Sequence, residues 1–333
     1  MLVGGEGTRL RPLTETIPKP LLPLVDRPFL HQVLDHLGAH GVHEVILSSP
    51  YLERTFEPFM AERHGDPRVT WITESEPLGT AGAIVNALEH VAGETFLVLN
   101  GDILTDLDLS ALVAFHRDRA AVGTIALTPV QDARPYGLVA ADADGRVLEF
   151  REKPSELVPG KINAGTYVLE PKSLEGWERG KQISIEREVF PALIERGEPL
   201  YASVSDAYWM DLGTPERYLQ AHVDVLDGKL RGRSFPAPFV AESARVSKDA
   251  EIDRHAVIGV MCTVGSEANV IQSVLHDAVA VGHGARVEGS ILGTRSSVED
   301  GAVVLGSVLA EGARVRSGAR VDGARLAPGE IAG

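Results

Sequence analysis

From residue 244 onward one aliphatic residue recurs every six positions. Val246, Ile252, Ile258, Val264 and Val270 are evenly spaced, and after phase breaks Val281/Val287, Val298/Val304 and Val315/Val321 resume the pattern. Small residues stand two places ahead of most of them (Ala244, Ala250, Ala256, Ala268, Ala285, Ala313, Ala319), where a tight corner leaves little room. This periodicity marks a parallel β-helix, in which each short strand buries one aliphatic side chain and stacking buries a continuous core. The repeat constrains the last quarter of the chain to a single architecture.

The residues ahead of it read differently. Phe29, Leu30, Val33, Leu34 and Leu37 are at helical spacing, with Gly41 as a stop. Strand-like runs at 44–47, 69–73 and 95–99 alternate with helical stretches near 52–63 and 80–91. Such alternation predicts an α/β domain with parallel strands, whose ligands bind beyond the carboxyl ends of the strands, where Gly4, Glu74 and Asp102 fall. A mixed region follows, with strands near 122–129, 138–141, 146–150 and 163–169 and helices at 184–197 and 214–227. Thr214-Pro215-Glu216 opens the last helix with a cap residue and a proline at the first helical position. The basic, proline-bearing stretch 229–240 reads as a linker. The expected division is therefore 1–228, a linker 229–243, and a β-helix over 244–328. Only Met1-Leu2-Val3 precede Gly4, short for an opening strand, so the expectation is that the true start lies upstream.

Chemistry concentrates at residues 4–20. Gly4-Gly5-Glu6-Gly7-Thr8-Arg9 is a glycine-rich turn whose backbone N–H groups can cradle phosphate oxygens, with Arg9 adding a fork of donors and Lys19 a mobile point charge. Leu10 stands where a dinucleotide fingerprint or a kinase loop needs a third glycine, and no Gly-Lys-Ser/Thr closes a Walker loop. The stretch from Gly4 to Leu13, followed by Pro18-Lys19-Pro20-Leu21-Leu22-Pro23-Leu24, closely resembles the signature of the sugar nucleotidyltransferases, or NDP-sugar pyrophosphorylases. The resemblance implies a Rossmann-like mixed sheet followed by a β-helix of the left-handed, three-sided form.

It also implies attack by a sugar-1-phosphate oxygen on the α-phosphorus of a nucleoside triphosphate, releasing pyrophosphate. Arg9 and Lys19 would neutralise the triphosphate, with Gly4, Gly5, Gly7 and Thr8 holding phosphate and nucleoside. Asn100-Gly101-Asp102 ends an apolar run, and Asp211 sits in Tyr208-Trp209-Met210-Asp211-Leu212-Gly213-Thr214. Two carboxylates plus phosphate oxygens suit Mg²⁺, so Asp102 and Asp211 are the expected metal ligands and, with Arg9 and Lys19, the catalytic set. By resemblance, Gly137 (in Tyr136-Gly137), Glu152 and Lys153 (in Glu-Lys-Pro) and Asn163 (in Asn-Ala-Gly) would contact the sugar phosphate.

The stretch Glu74 to Gly82 resembles the base-reading segment, with Glu74 and Gly79 on the nucleotide. A carboxylate only accepts, and guanine offers two adjacent donors where thymine and uracil offer one, which favours GTP. The alternative is a solvated strand-end residue. Residues 162–169, 184–191 and 208–213 resemble segments of the mannose-1-phosphate guanylyltransferases, or GDP-mannose pyrophosphorylases. The expected reaction is GTP plus mannose-1-phosphate giving GDP-mannose. The same chemistry with dTTP or UTP and glucose-1-phosphate stays open, as does a non-catalytic regulatory subunit. Acyl transfer by the β-helix, with His255, His276 or His283 as base, has little support: about eighty residues at roughly eighteen per coil give four or five coils and no obvious long loop.

Composition excludes other classes. The chain has 333 residues and a net charge of −15, which disfavours nucleic acid or an anionic membrane as partner. It has no apolar run of about 18 residues and no export leader, and one cysteine, Cys262, which fits a cytoplasmic enzyme. His36 and His40 lack companion ligands and read as a solvated helix face rather than a metal set. The β-helix reads as a rigid homo-oligomer contact.

Overall fold

The computed structural model describes residues 1–49, 53–62, 65–74, 76–91 and 93–333. The helix expected over 52–63 runs over Glu53–Glu62, while residues 52 and 63 and, in the base-reading stretch, Ser75 lie outside the described residues. Two units emerge, and they do not follow chain order. One comprises Met1–Gly5 and Gln32–Trp209, the other Glu6–His31 and Met210–Gly333.

In the first unit, strands Glu44–Ser49 and Arg68–Thr73 pair in parallel, and Leu2 bridges in parallel to both Ser48 and Asn100. The larger sheet is mixed. Its long strand Gly160–Leu169 pairs antiparallel with Phe96–Leu99, Gly123–Val130 and Gly137–Ala141, while Leu200–Val204 joins Gly123–Val130 in parallel. Of the strands expected to be parallel, Glu44–Ser49 and Arg68–Thr73 pair so, whereas Phe96–Leu99 is antiparallel to Gly160–Leu169 from the later half of the unit. The core runs through Ile84, Val98, Ile125, Tyr167, Ile185 and Phe190. The helix expected over 184–197 begins with a π turn, Ile185–Val189, before an α segment Phe190–Glu195. Nor are His36 and His40 a solvated face. His36 Nε2 lies 2.9 Å from the Leu107 carbonyl and His40 Nδ1 2.9 Å from Ser110 Oγ, and burial is the first cause lowering the His36 pKa.

In the second unit the periodic residues form three parallel faces of six, six and five strands, about six turns rather than four or five. The first strand, Phe239–Val240, lies in the stretch read as linker, and the last is Ile331–Ala332. Hydrogen bonds between equivalent corner residues span 18 residues in the first coils (Met261 to Ser243) and 17 thereafter (Ser290 to Ser273, Ser307 to Ser290). The one-residue shortening produces the phase breaks of the six-residue period. Val264, Val270, Val281, Val287, Val298, Val304 and Val315 are buried inward, with Ala256, Ala268, Ala285 and Ala313 at the corners.

The same unit includes the segment Glu6–His31. Three short 3₁₀ turns, Thr8–Leu10, Leu13–Glu15 and Lys19–Leu21, lead into an antiparallel pairing of Pro23–Leu24 with Arg27–Pro28. Leu10, Leu13 and Leu22 pack with Tyr218 and with Ile291 and Val308 of the solenoid in one apolar cluster. Tyr218 comes from the helix Pro215–Leu226, capped by the Thr214 hydroxyl, which accepts from the Arg217 amide. Its hydroxyl donates to the Pro23 carbonyl and lies 3.0 Å from His276 Nε2.

Candidate active site

The second unit carries a buried carboxylate among cations. Asp211 ends the strand Trp209–Asp211 and is 7% exposed. Its Oδ2 lies 3.0 Å from Arg217 Nη1 and 3.8 Å from Arg9 Nη2, and its Oδ1 lies 3.7 Å from Lys19 Nζ. Burying an ionised carboxylate is costly unless cations surround it, which accounts for three of them here. Arg9 and Lys19 reach it from the 3₁₀ turns of the signature segment, whose first turn is tied by Thr14 Oγ1 donating to the Gly7 carbonyl at 2.8 Å. A Cβ on Gly213 would stand 2.5 Å from Arg9 Nη2 and 2.8 Å from Asp211 Oδ1, so a larger residue there would push the Arg9 guanidinium aside. Three of the four expected catalytic residues are therefore together. Arg217 was missed by the sequence reading; it lies one helical turn into the segment capped by Thr214, six residues after Asp211. The Arg9 side chain is 62% exposed, so it is open to solution while touching a buried anion.

Whether these residues suit a divalent metal turns on their free lone pairs. Asp211 Oδ1 is buried and accepts no hydrogen bond among the described residues. No group of three or more His, Cys, Asp or Glu side chains among those residues is arranged for a metal. One buried carboxylate oxygen with spare lone pairs suits Mg²⁺, which takes one or two carboxylates and completes its shell with phosphate oxygens and water. Asp102, the other expected ligand, belongs to the first unit, half-buried in the turn that follows Phe96–Leu99.

In the first unit Glu74 is 5% exposed, so it is not a solvated strand-end residue. Ser48 Oγ donates to its Oε1 at 2.7 Å and the Leu78 amide to its Oε2 at 3.1 Å. Gly79 opens the helix Gly79–Ala87 directly after it. Each oxygen keeps lone-pair capacity, since a carboxylate offers about four acceptor positions.

The remaining expected residues also gather in this unit. Lys153 Nζ is 3.7 Å from Glu152 Oε1, and the Lys153 amide donates to the Tyr136 carbonyl at 3.0 Å. A Cβ on Gly137 would meet the Phe150 ring at 2.6 Å and Glu152 Oε2 at 3.0 Å, so the glycine admits the approach of both. Asn163 Nδ2 donates to Tyr167 Oη at 2.8 Å while its Oδ1 accepts from the Gly165 amide at 2.9 Å. Desolvation first, then the nearby Glu186 carboxylate, raise the Glu152 pKa, with Lys153 and Arg187 opposing. Glu186 is the hub that sequence reasoning missed. It accepts from Thr80 Oγ1 at 2.7 Å and Ser184 Oγ at 2.9 Å, and the Tyr167 hydroxyl also bonds to it. Thr80 lies in the base-reading stretch and Tyr167 beside Asn163, so one carboxylate ties the two together.

Cations of a glycine-rich signature segment gathered at a buried carboxylate suit the binding of a polyphosphate, as a nucleotidyltransferase requires. The family model for nucleotidyl transferases matches residues 1–228, and the chain belongs to that family. A second model, described as the GMPPB C-terminal domain, matches residues 235–330. The chain is 38% identical over 288 residues to the mannose-1-phosphate guanylyltransferase of Mycobacterium tuberculosis, covering 84% of this chain and 80% of that protein. It is 39% identical over 269 residues to the catalytic subunit beta of that enzyme from Drosophila pseudoobscura pseudoobscura (79% and 71% covered). Among solved structures, HddC from Yersinia pseudotuberculosis complexed with GMP-PN superposes with a TM-score of 0.58 at 34% identity, covering 66% of this chain and 95% of that one.

Proposed function

We propose that this chain transfers the guanylyl group of GTP to mannose-1-phosphate, giving GDP-mannose and pyrophosphate in a Mg²⁺-dependent reaction. The observation that carries this reading is buried Asp211 with Arg9, Lys19 and Arg217 around it and one oxygen left without a hydrogen bond among the described residues. The nucleophile is a phosphate oxygen, already anionic, so no general base is required and catalysis reduces to positioning and charge neutralisation. Arg9 and Lys19 neutralise the triphosphate, and the turn from Gly4 to Thr8 receives it through backbone amides. Asp211 and Asp102 are the carboxylates that would hold Mg²⁺, which when bound offsets charge on the phosphate oxygens.

Glu74 and Gly79 receive the base, and Gly137, Glu152, Lys153 and Asn163 the sugar phosphate. The names of the relatives support guanine and mannose, and the buried Glu74 carboxylate supports a base with two adjacent donors. Buried, unpaired Cys262 supports a cytoplasmic setting, and no described helix is long and apolar enough to cross a membrane. Exposed Val260 and Met261 on the solenoid support self-association through that region.

The test is pyrophosphate release with Mg²⁺, comparing GTP with dTTP, UTP and ATP against mannose-1-phosphate and glucose-1-phosphate. A GTP and mannose-1-phosphate optimum is expected. Turnover only with a pyrimidine triphosphate would overturn the guanine assignment, and silence with every pair would overturn the catalytic one.

A further inference from the structure

On one face of the solenoid, Val257, Val274, Ile291, Val308 and Arg325 occupy the same rung position in consecutive coils. The first four are buried, at 2%, 1%, 2% and 5% exposed. Ile291 and Val308 belong to the apolar cluster with Leu10, Leu13, Leu22 and Tyr218. One rung further the aliphatic residue gives way to arginine. Arg325 Nη1 donates to the Arg9 carbonyl at 3.2 Å and to the Arg11 carbonyl at 3.1 Å. These carbonyls flank Leu10, which is fully buried. The Thr8–Leu10 turn itself has two closing hydrogen bonds, Leu10 amide to Gly7 carbonyl and Arg11 amide to Thr8 carbonyl. A single 3₁₀ turn has poor hydrogen-bond geometry and no cooperative length, so its shape depends on what it rests on.

We infer that Arg325 is a positioning residue for the nucleotide-binding turn: the last rungs of the β-helix seat Leu10 and clamp the carbonyls on either side of it, aiming the Arg9 side chain. The β-helix is then part of the catalytic apparatus. An aliphatic side chain at 325 would extend the apolar ladder but could not hold two carbonyls. A guanidinium nitrogen with two hydrogens to donate can. The Glu216 carboxylate, whose pKa is lowered by the Thr214 hydroxyl first and its own amide next, also feels the positive charge of Arg325.

This inference rests on the reading that Arg9 contacts the triphosphate, and the experiment separates the two. In the full chain, Arg325→Ala, Arg325→Lys, Arg9→Ala and the double variant Arg9→Ala/Arg325→Ala are compared with Arg320→Ala, a solenoid control whose partner is the exposed Asp322. Arg325→Ala is expected to raise the KM for GTP about tenfold, the scale of one to two lost hydrogen bonds, and to leave the KM for mannose-1-phosphate within about twofold. Arg325→Lys should recover part of the loss. In the Arg9→Ala background, removing Arg325 should cost almost nothing further, the non-additivity expected of residues acting through one another.

Equal loss for both substrates together with a lowered Tm would make Arg325 merely structural and overturn the inference. So would an unchanged KM for GTP in Arg325→Ala while Arg9→Ala is inactive, which would leave the functional reading standing. Full activity in Arg9→Ala would overturn both.

Discussion

Two carboxylates are buried to nearly the same degree, one in each unit, and are stabilised in opposite ways. Glu74, 5% exposed, accepts from a hydroxyl and a backbone amide, both neutral. Asp211, 7% exposed, has three cations around it and an oxygen that accepts no hydrogen bond among the described residues. Neutral donors hold a carboxylate in place with part of its acceptor capacity spare, which suits reading a pattern of donors on a base. Surplus positive charge suits polyanionic phosphate. Under the proposed function, specificity and phosphoryl chemistry would use the same side-chain group with different neighbours.

Breaking the charged member should have the largest effect. Asp211→Asn keeps the shape but removes the anion, and turnover in a pyrophosphate-release assay is expected to fall by about 10³-fold, the scale of losing a metal ligand or an equivalent electrostatic group. Retained far-UV circular dichroism would show that chemistry rather than folding was lost. A loss below tenfold would remove Asp211 from the catalytic set.

Gly213→Ala attacks the same cluster by crowding, since its new Cβ would displace the Arg9 guanidinium. We expect about a 10²-fold fall in kcat/KM for GTP, as for a misplacement of about an ångström near the reacting groups. Wild-type kinetics would mean that Arg9 acts from elsewhere.

Glu74→Gln probes the neutral member. The amide would turn a donor toward Ser48 or the Leu78 amide, and the carboxylate's appeal to guanine would go. The ratio of kcat/KM for GTP over UTP is expected to fall about tenfold or more, with little change in kcat for GTP at saturation. An unaltered ratio would make Glu74 a loop staple alone.

Buried groups kept neutral extend the comparison. Burial lowers the His222 pKa to about 4 and the His276 pKa to about 3, the latter also feeling His222. Unfolding frees both to protonate near pH 6.5, so the unfolded state binds more protons and stability falls as pH drops from 6.5 toward 4. Each histidine contributes a slope of up to about 1.4 kcal/mol per pH unit. Chemical denaturation at pH 7.5, 6 and 5 would register it, and a flat profile would contradict the burial of both imidazoles.

The smallest expected effect comes from Glu186→Gln. Removing that charge lets the Glu152 pKa fall back, because Glu186 is the second cause raising it. The acid limb of kcat/KM for mannose-1-phosphate should move to lower pH by less than about one unit, with Glu152 required in its ionised form. A shift to higher pH would reverse the assigned sign.

Much of this was legible in one dimension because the causes are local. The six-residue stripe reports a repeated strand and corner, and each coil needs only its neighbours to be understood. Thr214-Pro215 caps a helix through contacts within four residues. Arg9, Lys19 and Asp211 stood out through short contiguous motifs, and the structure joins all three within 4 Å. What stayed hidden depended on residues far apart in sequence. Arg217 completes the charge around Asp211, Glu186 binds Thr80 across 106 positions, and Arg325 reaches Arg9 across 316. The coil count was short because the first strand, Phe239–Val240, lies in the stretch read as linker and the last, Ile331–Ala332, lies past the expected end, while most coils take 17 residues rather than eighteen.

The amino-acid sequence by itself determined the mixed α/β region and the solenoid and marked the candidate site residues, since periodicity, caps and glycine turns are set by near neighbours. The tertiary structure alone decided that residues 6–31 belong with the solenoid rather than with the sheet they precede. Leu10, Leu13 and Leu22 could have served any core. Ile291 and Val308 offered the complementary apolar surface, and burial is non-directional, so no sequence pattern names its partner.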